Sequence, residues 1–353
     1  NFGTVACCFV KQSLPELRGV YTCVRYFETD DLGVPFEFPV KNERLSYACT
    51  NEFLKIPGAP LAYWAPEKLF DVFAENDGLS AVLDPREGLT TGNNERHVRN
   101  LWEISRQNVG RACANRKQAA DTKCKWFPFN KGGEYRKWAG NDLFVVNWKD
   151  DGYELQNTLH PDGSRIWAHN FNLDYIFRPS VSWSDITTRG LTARLFEAGF
   201  IFDATGLSAF EKTDGNFRYL AAALCNSKVG SYLAPMLNPT MHFKSGDFAE
   251  IPFVETIRNT NAETHAIEAA KVAKSDWDAY ETSWEFTMLP LLSPDHRSGM
   301  LEATYARLRA HWAGMTEEMQ RLEEENNRIF INAYGLQDEL TPEVPIEEIT
   351  LTC

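Results

Sequence analysis

Between residues 299 and 334 apolar side chains recur at the four-then-three spacing of one helix face. Leu301, Leu308, Met315, Leu322 and Ile329 fall every seven residues, with Tyr305, Trp312, Met319, Asn326 and Ala333 between them. This predicts a long helix with a coiled-coil-like seam and one polar residue, Asn326, inside it. Ala266, Ala270, Ala273, Trp277, Tyr280 and Trp284 give 262–286 a matching stripe, and the Pro- and Asp-containing segment 289–297 separates the two. The expectation is an antiparallel helical hairpin covering the core of the preceding β-rich part; dimerisation through the same stripe is the alternative. Upstream the pattern shortens. Pro66 opens a predicted helix over 66–76 with Leu69, Phe70 and Phe73 on one face. Short β-prone runs are predicted at 4–10, 20–27, 144–147 and 199–202, and helices at 94–107 and 216–233. The chain therefore reads as α+β: 1–84, then a mixed β domain at 85–254, a helical hairpin at 255–335, and a last segment at 336–353.

Composition supports globular domains, since 43% of the 353 residues are hydrophobic and 13% aromatic. No apolar run reaches the length that spans a bilayer, so no membrane partner is expected. The first residues are too short and poorly flanked for a signal peptide. With no Met in first position, the chain is expected to begin inside a larger protein. Its eight cysteines show no Cys-x-x-Cys spacing and no paired His, so no metal is expected. Scattered thiols fit a reducing, cytoplasmic setting. The net charge of −13 argues against non-specific nucleic-acid binding by the whole surface. Charge is unevenly spread, however: 86–149 carries thirteen basic against six acidic residues, whereas 255–353 carries eight against nineteen.

The densest part of the basic region is KCKWFPFNKGGEYRKW at 123–138, where five cations alternate with five aromatics. Cations interleaved with aromatics suit a phosphate backbone and exposed base faces. The Gly132–Gly133 pair permits a close main-chain approach to a ligand. A solvated loop with a few core aromatics is the plainer alternative.

No catalytic apparatus is legible. The chain has no Gly-rich phosphate loop, no Gly-x-Ser-x-Gly elbow, no His-Glu-x-x-His and no Pro-Pro dipeptide. His242 alone among seven scattered histidines lies in a dense polar context, and a structural role suits it better than catalysis.

Several phrases carry a resemblance. REGLTTGNNERHVRNLW at 86–102 resembles the opening of the specificity domain of TaqI-like and type IIG adenine methyltransferases. WSDITTRGLTARLFEAGFIFDATGLSAF at 183–210 and LCNSKVGSYLAPMLNPTMHFKSGDFAEIPF at 224–253 resemble its middle and end. With KWFPFNKGGEYRKW and the closing GLQDELTPEVPIEEITL, essentially the whole chain resembles the PglX group of adenine-specific DNA methyltransferases from BREX phage-defence systems. The resemblance implies an S-adenosylmethionine-dependent N6-adenine methyltransferase acting on double-stranded DNA in a restriction-modification-like defence. It also implies that 1–27 are the terminal strands of a class I methyltransferase-like sheet and that 85–254 is the target-recognition domain. The family's cofactor loop and Asn-Pro-Pro-Tyr motif are absent, so no catalytic or cofactor-binding residue carries over. This chain is expected to be inactive alone, and the end at 353 to interrupt a family-like phrase.

Sequence readout needs phosphate clamps for register and polar side chains for base edges. Thr90, Thr91, Asn93 and Asn94 precede a predicted helix, where they serve as base contacts or as N-caps. Arg96 and Arg99 face phosphates or solvent. Lys131, Arg136 and Lys137 are the leading phosphate candidates, with Tyr135 or Trp138 as a stacking surface; Trp126, Phe127 and Phe129 are assigned to the core. Trp183, Ser184, Thr187, Thr188 and Arg189 form a polar loop in which Arg189, with Arg194, can read guanine. His242 and Lys244 flank a turn and contact phosphate or support the fold. The alternative function is protein interaction through the acidic helical hairpin, docking other subunits of a defence complex. A carbohydrate-binding β domain, suggested by ten Trp and many acids, fits the cysteines and motifs less well.

Overall fold

The computed structural model describes residues 7–8, 17–38 and 45–352. They form two compact units, Asn1–Glu75 and Asn76–Cys353. In the first, β1 (Arg18–Thr22) pairs antiparallel with β2 (Leu45–Cys49), setting Val20 opposite Tyr47. Next comes α1 (Glu67–Glu75), which buries Leu69, Phe70 and Phe73 as their spacing predicts. The strand expected at 4–10 lies outside the described residues except for Cys7 and Cys8. The run at 20–27 is a strand only as far as Thr22 and then turns through a 3-10 segment at Tyr26–Glu28.

The second unit is mixed α+β with two open four-stranded sheets. Its elements begin β3 (Leu83–Arg86), α2 (Asn94–His97), β4 (Val98–Asn100), α3 (Arg116–Asp121), β5 (Trp126–Asn130), β6 (Phe144–Asn147) and α4 (Lys149–Asn157). They continue with β7 (Ser180–Trp183), β8 (Ala193–Phe196), β9 (Ile201–Phe202), β10 (Ser208–Glu211), α5 (Phe217–Cys225) and α6 (Lys228–Leu237). The last are α7 (Ser245–Ala249), α8 (Ala262–Trp277) and α9 (Leu301–Tyr334). One sheet has the order β3-β10-β7-β8 and the other β4-β6-β5-β9. All pairs are antiparallel except β5 with β9.

β5 shows why an apolar run of this kind forms a fully buried strand. Phe127 and Phe129 point to a core that includes Val146, Phe177, Phe202 and Phe210, whereas Trp126 points the other way, toward Leu101, Val109, Val145 and Trp284. Period-two alternation thus feeds two cores from one strand. The assignment of Trp126, Phe127 and Phe129 to the core holds, at 9%, 1% and 0% exposure. α5 packs on the β3-β10-β7-β8 sheet, and α8 and α9 pack on each other, with α8 against α5 and α9 against α6.

Three helix expectations need correction. The segment 94–107 is not one helix but the four-residue α2, strand β4 and two 3-10 turns. Pairing of Val98 with Val146 in β6 outweighs the local helical spacing of its apolar residues. The helix at 216–233 is two, because the Ser227 hydroxyl accepts from the Gly230 N–H at 3.1 Å and starts a new one. α8 stops at Trp277, short of 286.

The seam of α9 is also not a narrow heptad stripe. Leu301 and Tyr305 are exposed, while Met319, Leu322, Glu323, Asn326, Asn327, Phe330, Ile331 and Tyr334 are buried. That wide stripe matches a helix facing several neighbours. Asn326 donates to the Ala223 carbonyl at 2.8 Å, and Asn327 accepts from the Lys228 N–H at 2.9 Å, so the stripe's polar members tie α9 to α5 and to the start of α6.

A pH-dependent contact joins the helices to the loop before β6. The Asp142 carboxylate accepts from the Trp277 indole at 2.6 Å, and its carbonyl accepts from Trp284 at 2.6 Å. Desolvation there pushes the Asp142 carboxyl up to about 6, against the opposing Trp277 bond. A carboxyl whose folded value lies above its unfolded one favours folding when protonated and disfavours it as pH rises through 6. Asp142→Asn is therefore expected to raise unfolding stability at pH 8 by roughly 1–2 kcal/mol and to change it little at pH 4. Urea melts at the two pH values check this; an equal shift at both would refute it.

Candidate nucleic-acid interface

The basic–aromatic segment and the Thr/Arg loop, 50 residues apart in the chain, meet in space. A cleft of about 460 Å³ is lined by Gly133, Glu134 and Tyr135 from the first, and by Ser184, Ile186, Thr187, Thr188, Arg189 and Thr192 from the second. Adjacent strand ends create it, since β5 ends at Asn130 and β7 at Trp183, whose sheets are stitched together there. The Asn130 amide donates to the Ser182 hydroxyl at 2.7 Å, and the Ser184 hydroxyl donates to the Gly133 carbonyl at 2.9 Å.

The Gly132–Gly133 pair serves this stitching, not an approach to ligand. Gly132 has φ 69°, and a Cβ there would lie 2.5 Å from the Thr205 carbonyl oxygen. The close approach it permits is to the chain's own backbone at 205–206.

The first half of the loop 184–192 is held against 241–243. Thr187 N–H donates to the Met241 carbonyl at 3.0 Å, and Phe243 N–H donates to the Asp185 carbonyl at 2.8 Å. Buried Asp185 also receives Lys244 Nζ at 2.8 Å and faces His242 Nδ1 at 3.2 Å. His242 and Lys244 therefore brace the loop from behind, and Lys244 spends its charge on Asp185.

Most of the other expected contact residues are likewise engaged internally. Thr91 is buried and donates to Asn94 Oδ1 at 2.7 Å, while Asn93 accepts from Arg96 N–H at 3.1 Å, which makes both part of the α2 cap. Arg96 pairs with Glu154, and Lys131 with Asp203 at 2.8 Å. Arg136, 8% exposed, reaches Asp276 of α8 at 2.7 Å and lies over the Trp277 ring. Lys137, 6% exposed, reaches Glu323 of α9 at 2.6 Å, and the same carboxylate accepts from Trp138 Nε1 at 2.8 Å. This RKW triplet straps the sheets to α8 and α9. It offers neither phosphate clamps nor, through fully buried Trp138, a stacking surface. Trp183 is fully buried, stacked on Phe248 and donating to the Phe243 carbonyl, so it too is core.

Arg194 is fully buried, with no acidic partner among the described residues. It donates to the Arg136 carbonyl at 3.2 Å and to the Ser184 hydroxyl at 3.0 Å, and its Nε has no acceptor. Burial, reinforced by Arg136, pulls its guanidinium down to about 10, which leaves it charged at neutral pH. Through Ser184 it sets positive charge behind the cleft floor.

Among the described residues, Arg189 and Tyr135 stay available to meet a ligand. Exposed Arg189 has no ion pair among the described residues, and its guanidinium lies 5.8 Å from the Tyr135 ring. Burial holds the Tyr135 phenol above its ordinary value, so it stays protonated and able to donate. With Thr188 alongside, and Thr187 whose hydroxyl donates to the Gly190 carbonyl and can still accept, the cleft presents a guanidinium outside any ion pair, a phenol and hydroxyl oxygens.

Sequence reasoning missed a second cleft, of about 390 Å³, lined by Gln107, Asn108, Thr122, Lys123, Cys124, Lys125, Trp126 and Lys149. Among the described residues there is no cluster able to hold a metal ion, and no helix is long and apolar enough to cross a membrane. Neither cleft fits S-adenosylmethionine. The one carboxylate lining either, Glu134, is exposed in a cleft that also carries Arg189, and the other cleft's lysines repel a sulfonium.

No family model matches the chain. Over 363 positions and 99% of its length it is 33% identical to the adenine-specific methyltransferase PglX of Lacticaseibacillus casei (strain Zhang). Over 293 positions and 82% of its length it is 32% identical to the adenine-specific methyltransferase BrxX of Escherichia coli O9:H4 (strain HS). The chain is thus similar at the family level to these methyltransferases, and it spans 29% and 22% of their respective lengths.

Proposed function

We propose that this chain is the DNA-recognition part of an adenine-specific methyltransferase of the BREX type. It reads double-stranded DNA for an S-adenosylmethionine-dependent N6-adenine transfer whose catalytic motifs lie elsewhere. The single observation that carries this reading is the cleft where Arg189 and Tyr135 meet beside Thr187 and Thr188. A guanidinium outside any ion pair, flanked by the Thr188 hydroxyl and by the Thr187 oxygen as acceptor, suits base-edge readout in a major groove. The similarity to PglX and BrxX supplies the substrate class. In this reading 85–254 is the recognition domain and the α8–α9 hairpin is its scaffold, since Asp276 and Glu323 hold the strap leading out of Tyr135. The 1–84 part is the end of the methyltransferase-like domain, and the setting is cytoplasmic.

The test is fluorescence anisotropy of the full chain on random duplex DNA across a salt series. Binding with a log–log slope of several units is expected, since each neutralised phosphate contributes about 0.9. If the chain binds no duplex even at low salt yet captures a defence-complex subunit through its hairpin, the interaction reading replaces this one.

A further inference from the structure

We propose that the lysine cleft at the opposite end of β5 is a second, sequence-independent contact to the same duplex, gripping its phosphate backbone. The inference rests on the DNA-recognition reading above. Lys123, Lys125 and Lys149 converge there, all exposed, and no acidic residue lines the cleft. Among the described residues none of the three is in an ion pair, whereas Lys131, Arg136 and Lys137 of the same basic segment all are. Among the acids nearby in the chain, Asp151 is held by Arg116 at 2.8 Å, and Asp121 and Asp150 are exposed and line neither cleft.

The convergence is built by the fold. β5 and β6 pair with Trp126 opposite Asn147, and Trp148 N–H donates to the Lys125 carbonyl at 2.9 Å, which brings Lys149 beside Lys125. Lys123 is placed by a left-handed turn, φ 57°, directly after α3. The Val109–Trp126 bridge delivers the amides of Gln107 and Asn108 to the same mouth. Lys125 Nζ lies 5.2 Å from the Trp126 ring, which keeps one ammonium against an aromatic face. Three uncompensated ammonium groups with amide donors suit phosphodiester oxygens.

Spacing favours a duplex over a small anion. β5 separates the two clefts, and an extended chain rising about 3.3 Å per residue puts roughly 20 Å between Lys125, which lines one, and Lys131, two residues before the lining of the other. That is the rise of about six base pairs at 3.4 Å each. A duplex lying along β5 would span both, with Arg189 reading bases and the lysines setting register.

The variant Lys123→Gly/Lys125→Gln/Lys149→Gln tests this in the full chain, with Arg189→Ala as comparison. Lys123→Gly places glycine where the backbone is already left-handed, so charge is removed without strain. The triple variant is expected to weaken binding equally on every duplex sequence and to lower the salt slope by about 2.7, near 0.9 for each phosphate left unneutralised. Single Lys149→Gln, measured in parallel, is expected to lower it by about one unit. An unchanged slope in both variants, with Arg189→Ala still weakening binding, overturns the anchor and leaves the recognition reading intact. Loss of inorganic pyrophosphate binding with an unchanged DNA slope overturns it in favour of a small-anion site. No salt-dependent binding by the unmodified chain ends the recognition reading, and the anchor with it.

Discussion

Glu323→Ala is expected to destabilise the second unit by about 3–5 kcal/mol, the range for stranding one member of a buried ion pair. Glu323 is 2% exposed and accepts from both Lys137 and Trp138. Burial alone would pull the Lys137 ammonium down, but the Glu323 carboxylate outweighs it and holds the group above its ordinary value. A raised Lys contributes stability that is complete below its unfolded value and lost as pH climbs through the folded one. Without Glu323 burial is opposed only by Tyr135 and Glu348, so the ammonium's value falls, and the destabilisation should shrink in alkaline buffer as Lys137 gives up its proton. Lys137→Met with Glu323→Leu should recover more than half of the loss, because a buried pair replaced by apolar groups is often neutral. Urea melts of the two single variants and the double provide the cycle. A Glu323→Ala protein within 1 kcal/mol of the parent would show that the strap is not fixed by this pair.

The strap also shows what local sequence conceals. Arg136 and Lys137 look like an exposed basic patch, yet their partners Asp276 and Glu323 lie 140 and 186 residues away. The available signal was on the helices: Asp276 stands three residues after buried Ala273 on one stripe, and Glu323 follows buried Leu322 in the other. Where structure follows from period, reading was direct. Strand β6 sits at 144–147 as expected, and α9 runs to Tyr334 within the predicted 299–334. Where pairing across the sheet decides, as at Val98 with Val146, helical spacing misled. The site was legible in part. The segments holding Tyr135, Ser184 and Arg189 were singled out, but burial divided each of them. Trp183 and Trp138 went to the core while Arg189 and Tyr135 stayed at the cleft. Lys123 and Lys125 were visible as charge, and Lys149 joins them only through β-sheet register.

Arg189→Ala is expected to leave stability within about 0.5 kcal/mol, as for exposed positions generally, while lowering affinity for the preferred site by about fivefold to 150-fold. That range is the 1–3 kcal/mol of one bidentate guanine contact, converted at 1.4 kcal/mol per tenfold. The argument is geometric. Arg189 lies between Thr187, fixed to Met241, and Gly190, whose φ of 113° turns the chain back toward β8. Its guanidinium has the Tyr135 ring beside it and, among the described residues, no carboxylate paired with it. Asp185, the acid nearest in the loop, is occupied by Lys244. Such a side chain keeps its planar fork available, so Arg189→Lys should fail to restore preference even though it restores charge. On random duplex the alanine variant should lose only about one unit of salt slope, the share of a single phosphate. Selection from a randomised duplex pool, followed by titration on the selected and scrambled sites, separates the two effects. If the alanine and lysine variants select the same site as the parent with the same discrimination, Arg189 does not read bases, and readout must pass to Thr187, Thr188 and Tyr135.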